Sequence, residues 1–261
     1  MSLAEAGHLL GLLLLGASLG FSGGMFGIGG GIVAIPILTL GFGMDQATAQ
    51  GTALVMMVPN LAVAWWRYAR HNPVPLREAI GVSLAGTVTT WATARLADSL
   101  NQGALRALFA LFLLFVAWQM TRSPSQQAVE RRQGFDRRFL PLIGTAGGAS
   151  MGLLGIGGGL VAIPLFTRLF RLDQRVAQSL GLALVAPSSI IALGTYAGHE
   201  RVNWTIGACL AVGGVGTVAA GVDLAHRLPE RKLRFWFGLL AGLTGLWLLA
   251  GRWALAFLTR L

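Results

Sequence analysis

Charged residues and cysteine are scarce in this chain. Asp, Glu, Lys and Arg together make up 11% of its 261 residues, against about 25% in soluble domains. A soluble globular fold is therefore excluded. The single cysteine, Cys209, lies inside an apolar segment and cannot form an internal disulfide. A buried cysteine usually behaves as a small hydrophobic residue, so no thiol chemistry is indicated.

Acidic residues and histidines are also few, and their positions argue against two classes of function. All ten Asp and Glu residues lie in loops or near the ends of apolar segments, whereas cation sites in membranes favour carboxylates within the membrane. The four histidines are scattered at segment edges, and no HExxH motif occurs. An intramembrane enzyme would need a nucleophile with a base, or a metal site. We predict that the chain is not an enzyme and has no cofactor. A transporter of a cation, a metal or an unrelated small solute remains the alternative function.

Apolar residues dominate what is present. They make up 54% of the chain, in stretches that approach or exceed the roughly 20 residues needed to span a bilayer. The net charge is +10, with the basic residues in short loops between the apolar stretches. This distribution is typical of the positive-inside rule rather than of a nucleic-acid-binding protein. The sequence predicts an all-α polytopic membrane protein whose apolar segments run over 9–42, 47–66, 74–96, 103–121, 139–167, 175–196, 203–225 and 233–258.

The chain contains an internal repeat. Adding 128 to a position in the first half gives its partner in the second half, without a gap over about ninety residues. Gln50 pairs with Gln178 in this way, and Tyr68 pairs with Tyr196. We predict a first membrane repeat over 1–121, a basic cytoplasmic linker over 122–138 and a second membrane repeat over 139–261. Secondary transporters are often built from such repeats, with the substrate at the repeat interface.

A glycine cluster interrupts the first apolar segment of each repeat. The first copy reads FGIGGGIVAIP over 26–36, and the second reads LGIGGGLVAIP over 154–164. Consecutive glycines allow a sharp turn and expose backbone N–H groups. In lipid, such groups are tolerated only inside the protein or along a polar cavity. We therefore predict a half-helix to about Met25, a turn through 27–31 and a second half-helix from Ile32, with the same arrangement in the second repeat.

The basic residues distinguish two topologies. If every segment crosses the membrane, Lys and Arg divide almost evenly between the two faces. If each glycine-broken segment returns to the side that it left, one face carries fifteen of them and the other carries four. The positive-inside rule favours the second arrangement. It leaves three full crossings in each repeat, and this odd number inverts the second repeat relative to the first. The sequence thus predicts two inverted-topology repeats, with both termini outside.

The glycine turns and the start of the following helix are the candidate binding site. Successive N–H groups can form an anion-binding nest, and a helix N-terminus adds a favourable dipole. Inversion would bring the two turns together near the bilayer midplane. The next helix of each repeat adds neutral donors in its first two turns. The predicted substrate-binding residues are Gly27, Gly29, Gly30, Gly31, Gln50, Thr52, Gly155, Gly157, Gly158, Gly159, Gln178 and Ser179.

Structural alternatives exist for several of these features. The glycines could form only a surface for close helix packing, and the two glutamines could simply bond neighbouring helices. A dinucleotide or phosphate loop is disfavoured, because no strand precedes the glycines and no P-loop lysine follows them. Tyr68, His71, Tyr196 and His199 lie where helices meet the interface, so an aromatic-belt role is favoured over a ligand role.

These motifs resemble a known family. The paired GIGGGxxxxP segments, each followed by a helix that begins with AQ and then Gly or Ser, are similar to those of the TauE/SafE sulfite exporter family. The resemblance implies export of small sulfur-containing anions, such as sulfite or sulfoacetate, by a multi-pass protein of the bacterial inner membrane. Its partners would be the anion and the lipid bilayer, with no nucleic acid. A homodimer is left open beside a monomer. The second repeat has Ser179 where the first has Gly51 and lacks the Gly51-Thr52 pair, so the halves need not bind equally.

Overall fold

The structure is a computed structural model that describes residues 3–26, 29–71, 73–121, 135–227 and 230–258. These residues form helices and short connections, and they contain no strand. The helices are α1 (Leu3–Phe26), α2 (Gly31–Pro36, continued by a π-helical turn over Ile37–Gly41), α3 (Gln46–His71), α4 (Leu76–Ser99), α5 (Gln102–Thr121), α6 (Leu140–Leu154), α7 (Gly159–Leu169), α8 (Gln174–Gly198), α9 (Trp204–Arg227) and α10 (Glu230–Leu258).

Five of these helices are long and apolar enough to cross a membrane, judged by length and composition. Two of them, α3 and α8, bury 67% of their most apolar window inside the protein, whereas α1, α5 and α9 leave most of theirs exposed. Helices that are apolar all round but exposed are expected where lipid replaces water as the solvent. The all-α polytopic membrane fold predicted from composition is therefore confirmed.

Two seams of small residues hold four helices together. In α1, a Cβ atom added at Gly16, Gly20 or Gly24 would overlap the backbone of α9 at Leu210, Gly214 or Val218 respectively. In α6, the glycines at 144, 148 and 152 meet the backbone of α4 at Val82, Gly86 and Thr90. Lipid tails are as apolar as side chains, so membrane helices associate through close backbone packing of this kind.

The two seams are related by the repeat. Each glycine of α6 lies 128 residues after a glycine of α1, and the contacted residues of α9 lie 128 after those of α4. In both seams the residue numbers rise together, so α1 is parallel to α9, and α6 is parallel to α4. One packing solution is thus used twice, between elements of different repeats. The repeats are interleaved rather than side by side.

Further contacts fix the directions of the central helices. Helix α3 is parallel to α9, because Asn60 lies against Gly214 and Arg67 pairs with Asp223. Helix α4 is parallel to α8, because the Ser83 hydroxyl donates to the Ala183 carbonyl at 2.6 Å and Gly86 lies against Leu184. The start of α3 meets the end of α8, where Tyr196 bonds Gln50. Equivalent helices of the two repeats therefore run antiparallel.

These directions divide the helix ends into two groups. The start of α3, the end of α4 and the connection between α8 and α9 share one end of the molecule, called here the Asp98 end. The starts of α4 and α6 share the other end, called here the Glu78 end, where Arg137 pairs with Glu78 at 3.0 Å. Arg67, near the end of α3, also lies at the Glu78 end. The chain therefore leaves the Asp98 end at the start of α1 and is back at the Asp98 end at the start of α3, after passing through α2.

The predicted segments agree closely with the observed helices, with one correction. Both apolar segments that contain glycine clusters are broken, between α1 and α2 and between α6 and α7. The prediction of a half-helix before the first break is wrong in length, since α1 has 24 residues, or about 36 Å. Its counterpart α6 has 15 residues. The repeat boundaries remain a prediction, because 122–134 of the linker fall outside the described residues.

Candidate functional site

The first glycine turn adopts backbone conformations that favour glycine. Gly29 has φ of 72° and Gly30 has φ of 88°, both in the left-handed region that residues with a Cβ atom rarely enter. Gly31 then begins α2. Gly27, also predicted to bind substrate, lies outside the described residues. The turn is therefore a true break in the helix, as predicted.

The second turn reaches a similar break with different geometry. Gly155 has φ of 64° and ends α6, whereas Gly158 has φ of −53° and precedes α7. A Cβ atom at Gly158 would overlap the carbonyl oxygen of Gly147 in α6. Gly157 and Gly159 are buried beside it. Gly155 thus supplies a conformation, and Gly158 supplies space between two backbone segments.

The two turns meet inside the protein. A Cβ atom placed on Gly31 would lie 3.5 Å from the carbonyl oxygen of Gly155. The first turn is level with the middle of α3, where Met56 and Leu61 lie next to Gly30 and Gly29. The second is level with the middle of α8, where Val185 lies next to Gly159. The structure thus brings the first turn and the second turn together at mid-depth.

Gln50 reaches this meeting point from α3. Its side chain is fully buried. A Cβ atom placed on Gly155 would lie 2.9 Å from the Cβ atom and 3.1 Å from the Cγ atom of Gln50. Its Oε1 atom accepts a hydrogen bond from the Tyr196 hydroxyl at 2.7 Å, whereas its Nε2 atom is buried without a hydrogen-bond partner among the described residues. A buried N–H donor without an acceptor costs about 1–3 kcal/mol. The amide therefore offers a donor beside the second glycine turn.

The other predicted polar residues are placed differently. Thr52 is buried, and its hydroxyl oxygen accepts the backbone N–H of Asn203 at 2.9 Å. It thereby joins α3 to the connection between α8 and α9. Ser179 is buried and Gln178 is half-buried, both in the second turn of α8. The equivalent glutamines thus differ in burial, and Gln50 alone of the two is placed against a glycine turn by the contacts described above.

The two tyrosines are the residues that the sequence analysis placed wrongly. Tyr196 is 2% exposed and its repeat partner Tyr68 is 4% exposed, so both lie in the interior and not in an aromatic belt. The Tyr196 hydroxyl is within hydrogen-bonding distance of both Gln50 and the Gly152 carbonyl oxygen. The repeat makes the two tyrosines of the chain equivalent, but this equivalence does not indicate their burial.

Two further buried amides were missed. Asn60 is fully buried in α3 against Gly214, and neither amide atom has a hydrogen-bond partner in the described part of the chain. Gln46 is 2% exposed and likewise has no partner for its amide among these residues. Both lie on α3 with Gln50. Gln46 is its first residue, and Asn60 lies about four turns into the helix.

A cluster of charged side chains lies at the Asp98 end. Arg201 places its Nε atom 3.1 Å from Asp98 and its Nη1 atom 3.7 Å from Asp45. Asp45 also caps α3 by accepting the Thr48 N–H at 3.0 Å, whereas Asp173 makes no side-chain cap for α8. No group of three or more His, Cys, Asp and Glu side chains that could hold a metal ion occurs among the described residues.

Comparisons with known proteins identify the family. The model of a family described as "Sulfite exporter TauE/SafE" matches residues 12–248. A probable membrane transporter protein of Methanocaldococcus jannaschii is 26% identical over 253 residues, which cover 91% of this chain and 94% of the relative. A probable membrane transporter protein of Xylella fastidiosa is 30% identical over 247 residues, which cover 92% and 94% of the two chains. This chain therefore belongs to the TauE/SafE sulfite exporter family of membrane transporters.

Proposed function

We propose that this protein exports small sulfur-containing anions across the bacterial inner membrane, and that the anion binds between the two glycine turns. The substrates would be sulfite, organosulfonates such as sulfoacetate, or related oxyanions. The observation that carries this proposal is the meeting of the turns beside the buried Nε2 atom of Gln50, which has no partner in the described part of the chain. The family and the names of the relatives support membrane transport.

The chemistry around the turns suits an anion. Helix α7 begins at Gly159, and the first N–H groups of a helix have no acceptor within the helix itself. The positive end of its dipole points to the same place. Gln50 adds a neutral N–H donor. None of these groups carries a full charge, so they can replace part of the anion's hydration without holding it too tightly for release.

A cation transporter would need carboxylates at this depth. The carboxylates whose contacts are described above lie elsewhere. Asp45 and Asp98 occupy one end of the molecule. Glu78 and Asp223 occupy the other. This distribution supports the anion over the cation as substrate.

The first test is a substrate panel. Purified protein in liposomes should exchange labelled sulfite for unlabelled sulfite or sulfoacetate, with much slower exchange against chloride. An oxyanion offers several acceptor oxygens to the donors of the two turns, whereas chloride is a single atom. Exchange of a metal cation instead, with no exchange of any sulfur anion, would contradict the proposal.

We also propose that the two repeats are inverted in the bilayer, with the Asp98 end outside. The antiparallel directions of equivalent helices support this arrangement, and so does the clustering of basic residues in the loops at the Glu78 end. Inverted repeats provide two related conformations, open to opposite sides, when one repeat moves against the other.

Cysteine labelling tests this orientation. On a Cys209→Ser background, Asn101→Cys lies at the Asp98 end and Asp173→Cys lies at the Glu78 end; both native residues are exposed. We expect an impermeant thiol reagent added to intact cells to label position 101 and not position 173. Position 173 should react only after permeabilisation. Equal external labelling of both positions would contradict the inverted arrangement.

A further inference from the structure

We propose that Tyr196 is a positioning residue that sets which end of the Gln50 amide faces the substrate. This inference rests on the proposed function, because it assigns a role in the same site. The Tyr196 hydroxyl has a single proton and two nearby acceptors. The Tyr196 hydroxyl lies 2.7 Å from Gln50 Oε1 and 3.1 Å from the Gly152 carbonyl oxygen. A phenol has one O–H donor, so it can serve only one of these acceptors at a time.

The amide of Gln50 can supply the missing donor by rotating through 180°. In the arrangement described, Tyr196 donates to Oε1, and Nε2 has no partner among the described residues. A half-turn of the amide about its Cγ–Cδ bond exchanges the two atoms. Nε2 would then donate to the Tyr196 oxygen, and the hydroxyl would donate to Gly152. One N–H of the amide and the Tyr196 hydroxyl would then both have an acceptor.

The two orientations correspond to two states of the site. With the site empty, the chain from Nε2 to Tyr196 to Gly152 gives the buried amide nitrogen an acceptor without a ligand. With an anion bound, Tyr196 turns its proton to Oε1 and leaves Nε2 to donate to the anion. Both side chains are buried, because Gln50 is fully buried and Tyr196 is 2% exposed. Tyr196 acts only through Gln50 and does not contact the anion itself.

The position of the pair fits this role. Gln50 lies against Gly155, so its amide is beside the second turn. Gly152 belongs to the last turn of α6, three residues before Gly155. The hydroxyl therefore ties the donor on α3 to the helix that ends at the turn. Tyr196 itself is near the end of α8, so the pair joins both repeats at the proposed site.

The experiment compares Tyr196→Phe with Thr195→Val in purified protein. Thr195 is the matched control, because its hydroxyl donates only to Ile191 in its own helix, at 2.9 Å. Two readouts are taken with sodium sulfite: the concentration that half-saturates flux, and the concentration that gives half of the maximal thermal stabilisation. Tyr196→Phe should raise both about tenfold, with little change in maximal flux, because a lost hydrogen bond of this kind weakens binding by about that factor. Thr195→Val should change neither.

A Gln50→Leu background separates this inference from the proposed function. If Tyr196 acts through Gln50, adding Tyr196→Phe to Gln50→Leu should produce no further change. Wild-type half-saturation in Tyr196→Phe, with strongly weakened sulfite binding in Gln50→Leu, would overturn the role of Tyr196 and leave the site in place. Wild-type behaviour of Gln50→Leu would overturn the site and this inference together.

A second variant covers the case in which Tyr196→Phe does not accumulate. Gln50→Met keeps the length of the side chain but has no N–H group to offer and introduces no charge. It should fold and should require at least about tenfold more sulfite for half-saturation, by the same hydrogen-bond argument. Half-saturation equal to that of the wild type would overturn the inference, because the amide donor would then be unnecessary.

Discussion

We expect Gly158→Val to lower sulfite flux to the level of protein-free liposomes. A Cβ atom at this position would overlap the carbonyl oxygen of Gly147, and neither backbone segment can move without displacing the second turn. Overpacking of this kind costs about 1–3 kcal/mol, and a valine side chain would also fill the space assigned to the anion. Gly30→Val should have the same effect for a different reason, because its φ of 88° is closed to a β-branched residue.

Flux in liposomes that contain equal amounts of inserted protein is the measurement. Gly194→Val is the matched control, since a Cβ atom at this α8 glycine would meet nothing within 4 Å. We expect the control to retain flux. Normal flux in a correctly inserted Gly30→Val, Gly158→Val double variant would show that the turns are not the site.

The second large effect is expected at the seam between α1 and α9. Gly20→Leu should prevent stable assembly, because a Cβ atom there would overlap the backbone of Gly214, and the two helices could not approach. Gly11→Leu on the same helix should assemble normally, since the space around Gly11 is open. Thermal unfolding in detergent, followed by size-exclusion chromatography, measures both variants. A stable Gly20→Leu protein with an unchanged unfolding temperature would contradict the seam.

The repeat extends this prediction to the other half. Gly148 is the equivalent of Gly20, and its Cβ position overlaps the backbone of Gly86 in α4. Gly148→Leu should therefore lower the yield of folded protein as strongly as Gly20→Leu. A difference between the two variants would show that one seam contributes more than the other to the assembly of the repeats.

The positions of the helices could be predicted well from the sequence. The pairs of helices that pack together could not. The runs of consecutive glycines predicted where the two helices break, because glycine's backbone freedom is a local property. Gly29, Gly30 and Gly155 indeed take positive φ values. By contrast, the pairing of α1 with α9 depends on which glycines face each other in space. The spacing of Gly16, Gly20 and Gly24 was visible in the sequence, but no local rule gives the partner of such a seam.

The same limit explains the result for the site. Gln50 could be proposed from its place early in an apolar helix. Tyr196 could not, because its helix continues past the predicted segment, and the start of α3 covers it. Its burial is a tertiary effect. The predicted length of α1 was wrong for a related reason. A helix can run parallel to its neighbours for 24 residues and still end near the middle of α3.

The most direct test of the account is sulfite efflux from loaded proteoliposomes under imposed potassium-diffusion potentials at fixed pH. An inside-negative potential favours the exit of an anion by about 2.3 kcal/mol per charge per 100 mV. We predict that efflux accelerates when the interior is made negative and is absent with Gly158→Val. Sulfite efflux no faster than from protein-free liposomes at any potential would contradict the account. Flux that ignores voltage but follows a pH gradient would contradict potential-driven export and indicate proton-linked transport.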